Sequence, residues 1–188
     1  MWMILVSGLI LGVVALDQIS KLLVLQFLYN DQVTLIPGVL NFKYVENDGM
    51  AFGLLSDHRW VFMVFSVIGI GLLSFYLFRY VKAPLGRIGL ALIIGGGIGN
   101  MIDRVAYGFV VDFIDFCAFD FWIWVFNIAD SAVCIGAALF IIQLIREIIA
   151  ECKKPKNGTK KAEASTPSHK VTDGAAPDKE DGQNGAES

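Results

Sequence analysis

Four carboxylates, Asp17, Asp103, Asp112 and Asp130, stand in or beside long apolar stretches of this sequence. A charge in hydrocarbon is costly enough that each such residue is a functional candidate by default. Lys21 follows Asp17 by four residues, on the same helical face, where the two can pair and lower the cost of both charges. That pair reads as structural or substrate-positioning. Arg104 directly follows Asp103. Adjacent helical residues do not face each other, so Arg104 is expected to reach another acid or a backbone carbonyl.

The rest of the inventory narrows the chemistry. The two histidines, His58 and His169, fall in a loop and in the polar C-terminal stretch, and no His-Glu-x-x-His motif occurs. No metal and no cofactor are expected. Ser66 and Ser131 have no His or Lys base at their depth. Cys117 and Cys134 have no histidine companion and read as buried, inert thiols. Gly95, Gly96, Gly97 and Gly99 are not followed by the Gly-Lys-Ser or Gly-Lys-Thr of a phosphate cradle. They read as close helix packing that brings Asn100 and Asp103 inward, and Gly69 and Gly71 read the same way. A pair of carboxylates remains for hydrolysis. Two close Asp residues share one proton, so one can deprotonate a water while the other donates to a carbonyl. Which of the four form the pair stays open at this level, Asp112 and Asp103 being equivalent candidates.

The elements that must hold these residues are membrane helices. The chain is 55% hydrophobic and 18% charged, whereas soluble domains have about 45–50% and about 25%. Apolar runs cover residues 2–28, 60–78, 84–104 and 121–145, each near the about 20 residues that a spanning helix needs. The first lacks the basic flank and small-residue cleavage site of a signal peptide. A net charge of -3 without a basic face excludes a nucleic-acid binder, and three scattered Cys fit no disulfide framework. Arg79, Lys82 and Arg87 lie between the second and third runs, and Arg146, Lys153, Lys154 and Lys156 follow the fourth. This bias predicts that both termini are cytoplasmic and that residues 29–59 and 104–120 lie outside. All four acids then fall toward the outer end of the bundle.

Within residues 29–59, Pro37-Gly38 signals a turn, and Val39 to Val45 alternates apolar and polar, predicting a short hairpin or curved sheet. Residues 151–188 carry no aromatic residue and mix Lys, acids, Ser, Pro and Gly, the composition of a disordered cytoplasmic tail.

Five blocks, in order, resemble a known family. They are Asp17-Gln18-Ile19-Ser20-Lys21, Asn47-Asp48-Gly49-Met50-Ala51-Phe52-Gly53, Gly96-Gly97-Ile98-Gly99-Asn100-Met101-Ile102-Asp103-Arg104, Gly108-Phe109-Val110-Val111-Asp112-Phe113 and Phe126-Asn127-Ile128-Ala129-Asp130-Ser131. The sequence is similar to the bacterial lipoprotein signal peptidases, signal peptidase II, over about residues 15–136. The resemblance implies an α-helical polytopic membrane protein with four transmembrane helices, a small extracytoplasmic β-cradle and a short extracytoplasmic helix near Val105–Cys117. It implies an aspartic endopeptidase of the inner membrane that removes signal peptides before a diacylglyceryl-modified Cys, acting as a monomer among membrane lipids. It also implies Asp112 and Asp130 as the catalytic pair, with Asp17, Lys21, Asn47, Asn100, Asp103, Arg104 and Asn127 as supporting polar residues. Met50 stands where the family usually has Ala, which bears on substrate preference. The competing reading from the residues is a proton- or cation-coupled transporter subunit that uses intramembrane carboxylates. Against it, the acids lie near one end rather than at the midplane, and no internal repeat is visible.

Overall fold

The computed structural model describes residues 2–48, 59–118 and 124–153. The Gly49–Gly53 part of the second block, with Met50, and the tail beyond Lys153 lie outside the described residues.

Four helices carry the apolar runs: α1 (Trp2–Phe27), α2 (Arg59–Arg79), α3 (Pro84–Ala106) and α4 (Ile128–Cys152). By length and composition α1, α3 and α4 can each cross a membrane, and α2 has a shorter apolar stretch, Met63–Arg79. Their outer faces are apolar. On α1 alone Ile4, Leu5, Leu11, Leu16, Ile19, Leu22 and Leu23 are exposed, an arrangement stable in lipid and not in water.

The central helix is α3, packed against α1, α2 and α4. It begins with Pro84, preceded by Ala83 in an extended conformation, as the residue before a proline prefers. Its glycines let the neighbours approach. A Cβ at Gly96 would collide with the carbonyl oxygen of Ala129 on α4, and one at Gly99 would lie 2.5 Å from Asp17 Oδ2 on α1. The expectation for Gly69 and Gly71 is corrected: a Cβ at either meets nothing within 4 Å. The thiols are corrected too, Cys134 being exposed and Cys117 half-buried.

The strands between the helices form one antiparallel sheet in the order β1 (Gln32–Ile36), β2 (Leu40–Asn47), β3 (Val110–Phe116) and β4 (Val125–Phe126). The predicted hairpin joins β1 and β2. Pro37 and Gly38 occupy the central positions of the turn, Gly38 has φ 72°, and Val39 N–H donates to Ile36 O at 3.0 Å. These are the residues and the bond of a type II turn. The helix expected near Val105–Cys117 is instead the end of α3 followed by β3. Tyr107 N–H closes the helix on Asp103 O at 2.7 Å, and Gly108, at φ 89°, turns the chain out of it. The following Val-Val-Asp-Phe-Ile run favours a pleated, half-buried strand. Similarly, the fourth span begins at Ile128 rather than 121, because Val125 and Phe126 pair with β3, and it runs on to Cys152.

Two apolar cores mark the two ends of the bundle. Val6, Leu77, Leu90, Ala91 and Ile94 gather at one, and Val24, Val111 and Phe113, with Phe42, Leu28 and Ile128 against them, at the other. The second core seats the sheet on the end of α1 and the start of α4, and so places β3 beside the acids.

Candidate active site

α4 supplies the organising residue. Asn127 precedes its first turn, and its Oδ1 accepts the backbone N–H of Asp130 at 2.8 Å. Asp130 Oδ2 in turn accepts the N–H of Asn127 at 3.2 Å. Side chains three residues apart that satisfy each other's backbone donors form a capping box. The positive end of the helix faces the carboxylate at that position. Asp130 is thereby held in one orientation by the start of its own helix.

Asn127 also reaches across to β3. Its Nδ2 lies 2.7 Å from Asp112 Oδ1, 3.0 Å from Asn100 Oδ1 and 3.3 Å from Val111 O. One fully buried amide thus joins Asp112 to the cap that holds Asp130. Asn47 at the end of β2 donates to Asp112 Oδ2 at 2.7 Å. The β2–β3 register, which pairs Asn47 with Val110 and Val45 with Asp112, sets this contact.

Beneath the two carboxylates lies a buried ionic network. Lys21 Nζ is 2.8 Å from Asp17 Oδ2 and 2.8 Å from Asp103 Oδ2, and donates to Asn100 Oδ1 at 2.9 Å. Lysine is a donor only, so it compels the oxygen of the Asn100 amide toward itself. The amide nitrogen is left facing Asp130 Oδ1, to which it donates at 2.7 Å. Asp17 Oδ1 accepts Ala129 N–H at 2.9 Å, a second donor from the start of α4. Asp103 Oδ2 accepts Val111 N–H at 3.0 Å and so pins β3 one residue before Asp112. Among the described residues no buried side-chain nitrogen or oxygen lacks a partner, as a buried polar network must achieve if it is to be stable.

All nine residues singled out in the sequence converge on this end of the bundle. Asp17 and Lys21 pair as their spacing predicts. Arg104 donates to the carbonyl of Asn100 at 3.2 Å, one turn back in its own helix, as expected of a side chain that cannot face Asp103. Gln18 joins them without being one of the nine. Its Nε2 donates to Asp103 Oδ1 at 2.8 Å and Gly99 O at 3.1 Å, and also touches Asp17 Oδ2 at 3.2 Å. The available signal was an uncharged polar residue beside an acid within an apolar helix.

A cleft of ≈260 Å³ opens over Asp112, between the end of β2 (Asn47, Asp48) and Trp124-Val125. Burial pushes the Asp112 carboxyl up to about 6; the Asn47 amide works against the rise, and neighbouring Asp130 adds to it. A carboxyl whose proton is held up to about 6, beside a second carboxylate and at the wall of a cleft, can exchange protons with a substrate and a water.

Comparison with known proteins places the chain among peptidases. Residues 9–146 match the family described as Signal peptidase (SPase) II. The lipoprotein signal peptidase of Halothermothrix orenii is 42% identical over 137 residues, which are 72% of this chain and 91% of that protein. That of Syntrophomonas wolfei is 44% identical over 139 residues, 73% of this chain and 91% of the relative. A bacterial membrane enzyme solved by the in meso method at 2.3 Å shares the fold with a TM-score of 0.72 at 32% identity, over 81% of this chain and 93% of that one.

Proposed function

We propose an aspartic mechanism for this chain from the premise that it belongs to the signal peptidase II family, and hence cleaves lipoprotein signal peptides. The competing transporter reading finds no support in the same comparisons. Asp112 and Asp130 are the catalytic pair. The observation that carries this is the shared amide of Asn127, which donates to Asp112 and caps the helix turn that holds Asp130. Of the four acids Asp112 lines the cleft and Asp130 is joined to it through Asn127, whereas Asp17 and Asp103 are committed to Lys21 and to backbone N–H groups.

With one proton between them, the ionised member takes a proton from a water whose oxygen attacks the scissile carbonyl. The protonated member gives its proton to the carbonyl oxygen. The member that took the water's proton then gives it to the amide nitrogen while the other takes a hydroxyl proton from the tetrahedral diol; the C–N bond breaks, the carboxylic acid product forms, and the dyad again holds one proton. Asn47, Asn100 and Asn127 aim the carboxylates, while Asp17, Lys21, Gln18 and Asp103 hold the helices and β3 that carry them. Arg104 stands half-buried beside them as a cation.

The substrate is the signal peptide of a diacylglyceryl-modified prolipoprotein, cut before the lipidated Cys. Among the described residues the buried side-chain nitrogens and oxygens are satisfied without a group from a second copy, which supports action as a monomer surrounded by membrane lipid. The Lys and Arg distribution supports a site on the extracytoplasmic face of the inner membrane, with both termini cytoplasmic.

Cleavage of a diacylglyceryl-modified prolipoprotein, read as a gel shift, tests the dyad. Asp112→Asn and Asp130→Asn each lower turnover by about a hundred- to ten-thousand-fold, the worth of a general acid or base, in protein that still inserts and folds. Asp103→Asn weakens activity less completely, since it disturbs position rather than proton transfer. Near-normal turnover by either dyad variant would sink the assignment, and complete loss in well-folded Asp103→Asn would move the pair.

A further inference from the structure

At the end of the bundle away from the acids, a groove of ≈350 Å³ runs between the starts of α1 and α3. Trp2, Leu5, Leu9, Pro84, Arg87 and Ile88 line it. Its walls are apolar apart from one cation. Arg87 lies with its guanidinium carbon 4.0 Å from the centroid of the Trp2 ring, and its Nε donates to Val81 O at 3.0 Å. These contacts fix the plane of the guanidinium and leave its terminal nitrogens for another acceptor. Among the described residues no carboxylate forms an ion pair with it.

The surroundings strengthen the positive field. Lys82 and Arg79 belong to the same connection between α2 and α3, and no acid lies between Arg79 and Arg87 in the sequence. An apolar groove headed by an unpaired cation, at the level where a spanning helix leaves the hydrocarbon, matches an amphiphile with an anionic head. Arginine is suited to that head because its fork can donate two bonds to one phosphate.

We propose that this groove binds one anionic phospholipid, with an acyl chain along Leu5, Leu9 and Ile88 and the phosphate on Arg87. The site is separate from the catalytic one. Asp17, in the polar network, lies fifteen residues after Trp2 on the same helix, about 22 Å along the axis at 1.5 Å per residue. The diacylglyceryl group of the substrate has no phosphate and must stay with its Cys at the other end. The bound molecule is therefore a membrane lipid that joins α1 to α3.

Native mass spectrometry of the full-length protein, released from detergent with equal amounts of phosphatidylglycerol and phosphatidylcholine of identical chains, tests the proposal. The expected result is one retained phosphatidylglycerol per chain, favoured about fivefold over phosphatidylcholine, the worth of one basic residue at an anionic headgroup. Arg87→Gln brings the ratio toward one. Leu5→Trp, a lipid-exposed change that fills the groove, lowers retention of both lipids and carries the test if Arg87→Gln is not recovered folded. Lys82→Gln, outside the groove, retains most of the preference, because Lys82 adds to the field without holding the phosphate. Equal retention of the two lipids by the unmodified protein overturns the proposal, as does a wild-type pattern in Arg87→Gln or in Leu5→Trp, or loss of the preference in Lys82→Gln. Inorganic phosphate at millimolar concentration leaves the lipid bound; its displacement would assign a free-anion site instead.

Discussion

Asp112 is the residue whose environment makes a directional prediction. Burial holds its proton up to about 6, whereas Asn47 donates to the ionised form and pulls the other way. On the proposed mechanism, Asp112 and Asp130 work with one proton between them. As pH rises through the upper apparent pKa, which belongs to the pair, that proton is lost and the two carboxylates repel. The kcat/KM profile for a lipidated peptide should therefore fall on its basic side, from near pH 6 in the free enzyme. Replacing Asn47 with Ala removes a donor that favours the carboxylate, so the Asp112 proton is held more tightly. The basic limb should move to higher pH, with a lower maximum because the carboxyl is less well aimed. A profile that moves to lower pH, or that keeps its position, would separate Asn47 from the titrating group.

At the scale of the elements, α3 is the helix that cannot change its surface. Its glycines are not interchangeable with those of α2, and the contrast is measurable. Gly96→Ala drives a Cβ into the backbone of α4 at Ala129, next to the cap that aims Asp130. Overpacking of this kind costs about 1–3 kcal/mol, and a lower thermal midpoint in detergent should accompany a drop in cleavage. Gly69→Ala on α2 adds a methyl where nothing lies within 4 Å. It should keep both the midpoint and the activity. Equal damage from the two substitutions would mean that α2 packs more closely than its geometry indicates.

For the whole molecule, the direction of the chain through the bilayer sets which compartment the dyad serves. On the proposed orientation, the cluster Arg79, Lys82, Arg87 and the basic residues from Arg146 onward mark the cytoplasmic end of the bundle. With Cys117, Cys134 and Cys152 replaced by Ser, a single Cys at Asn157 should resist a membrane-impermeant thiol reagent in intact cells. A single Cys at Asp31, before β1, should react. Labelling at Asn157 in sealed cells would invert the topology and, with it, the face on which the site opens.

Much of this was legible before folding because the bilayer imposes it. Long apolar runs must be helices, since lipid offers the backbone no other partner, and α1, α2 and α3 begin and end within a few residues of their runs. Pro37-Gly38 dictated its turn through φ alone. The Asp17–Lys21 pair followed from one helical turn of spacing. What the residues could not decide was which of the acids stands at the cleft. Asp103 and Asp112 are alike in composition and depth, and only the sheet distinguishes them. The β2–β3 pairing puts Asp112 against Asn47 and the cleft, while Lys21 and Val111 N–H claim Asp103. The aromatic run before Asn127 read as the start of a span because local hydrophobicity cannot tell a lipid-facing helix from a short strand. Pairing of Val125 and Phe126 with Asp115 and Ile114, distant in neither space nor sequence but invisible to periodicity, made these two residues a strand and left Asn127 at the helix start, where it caps the turn that holds Asp130.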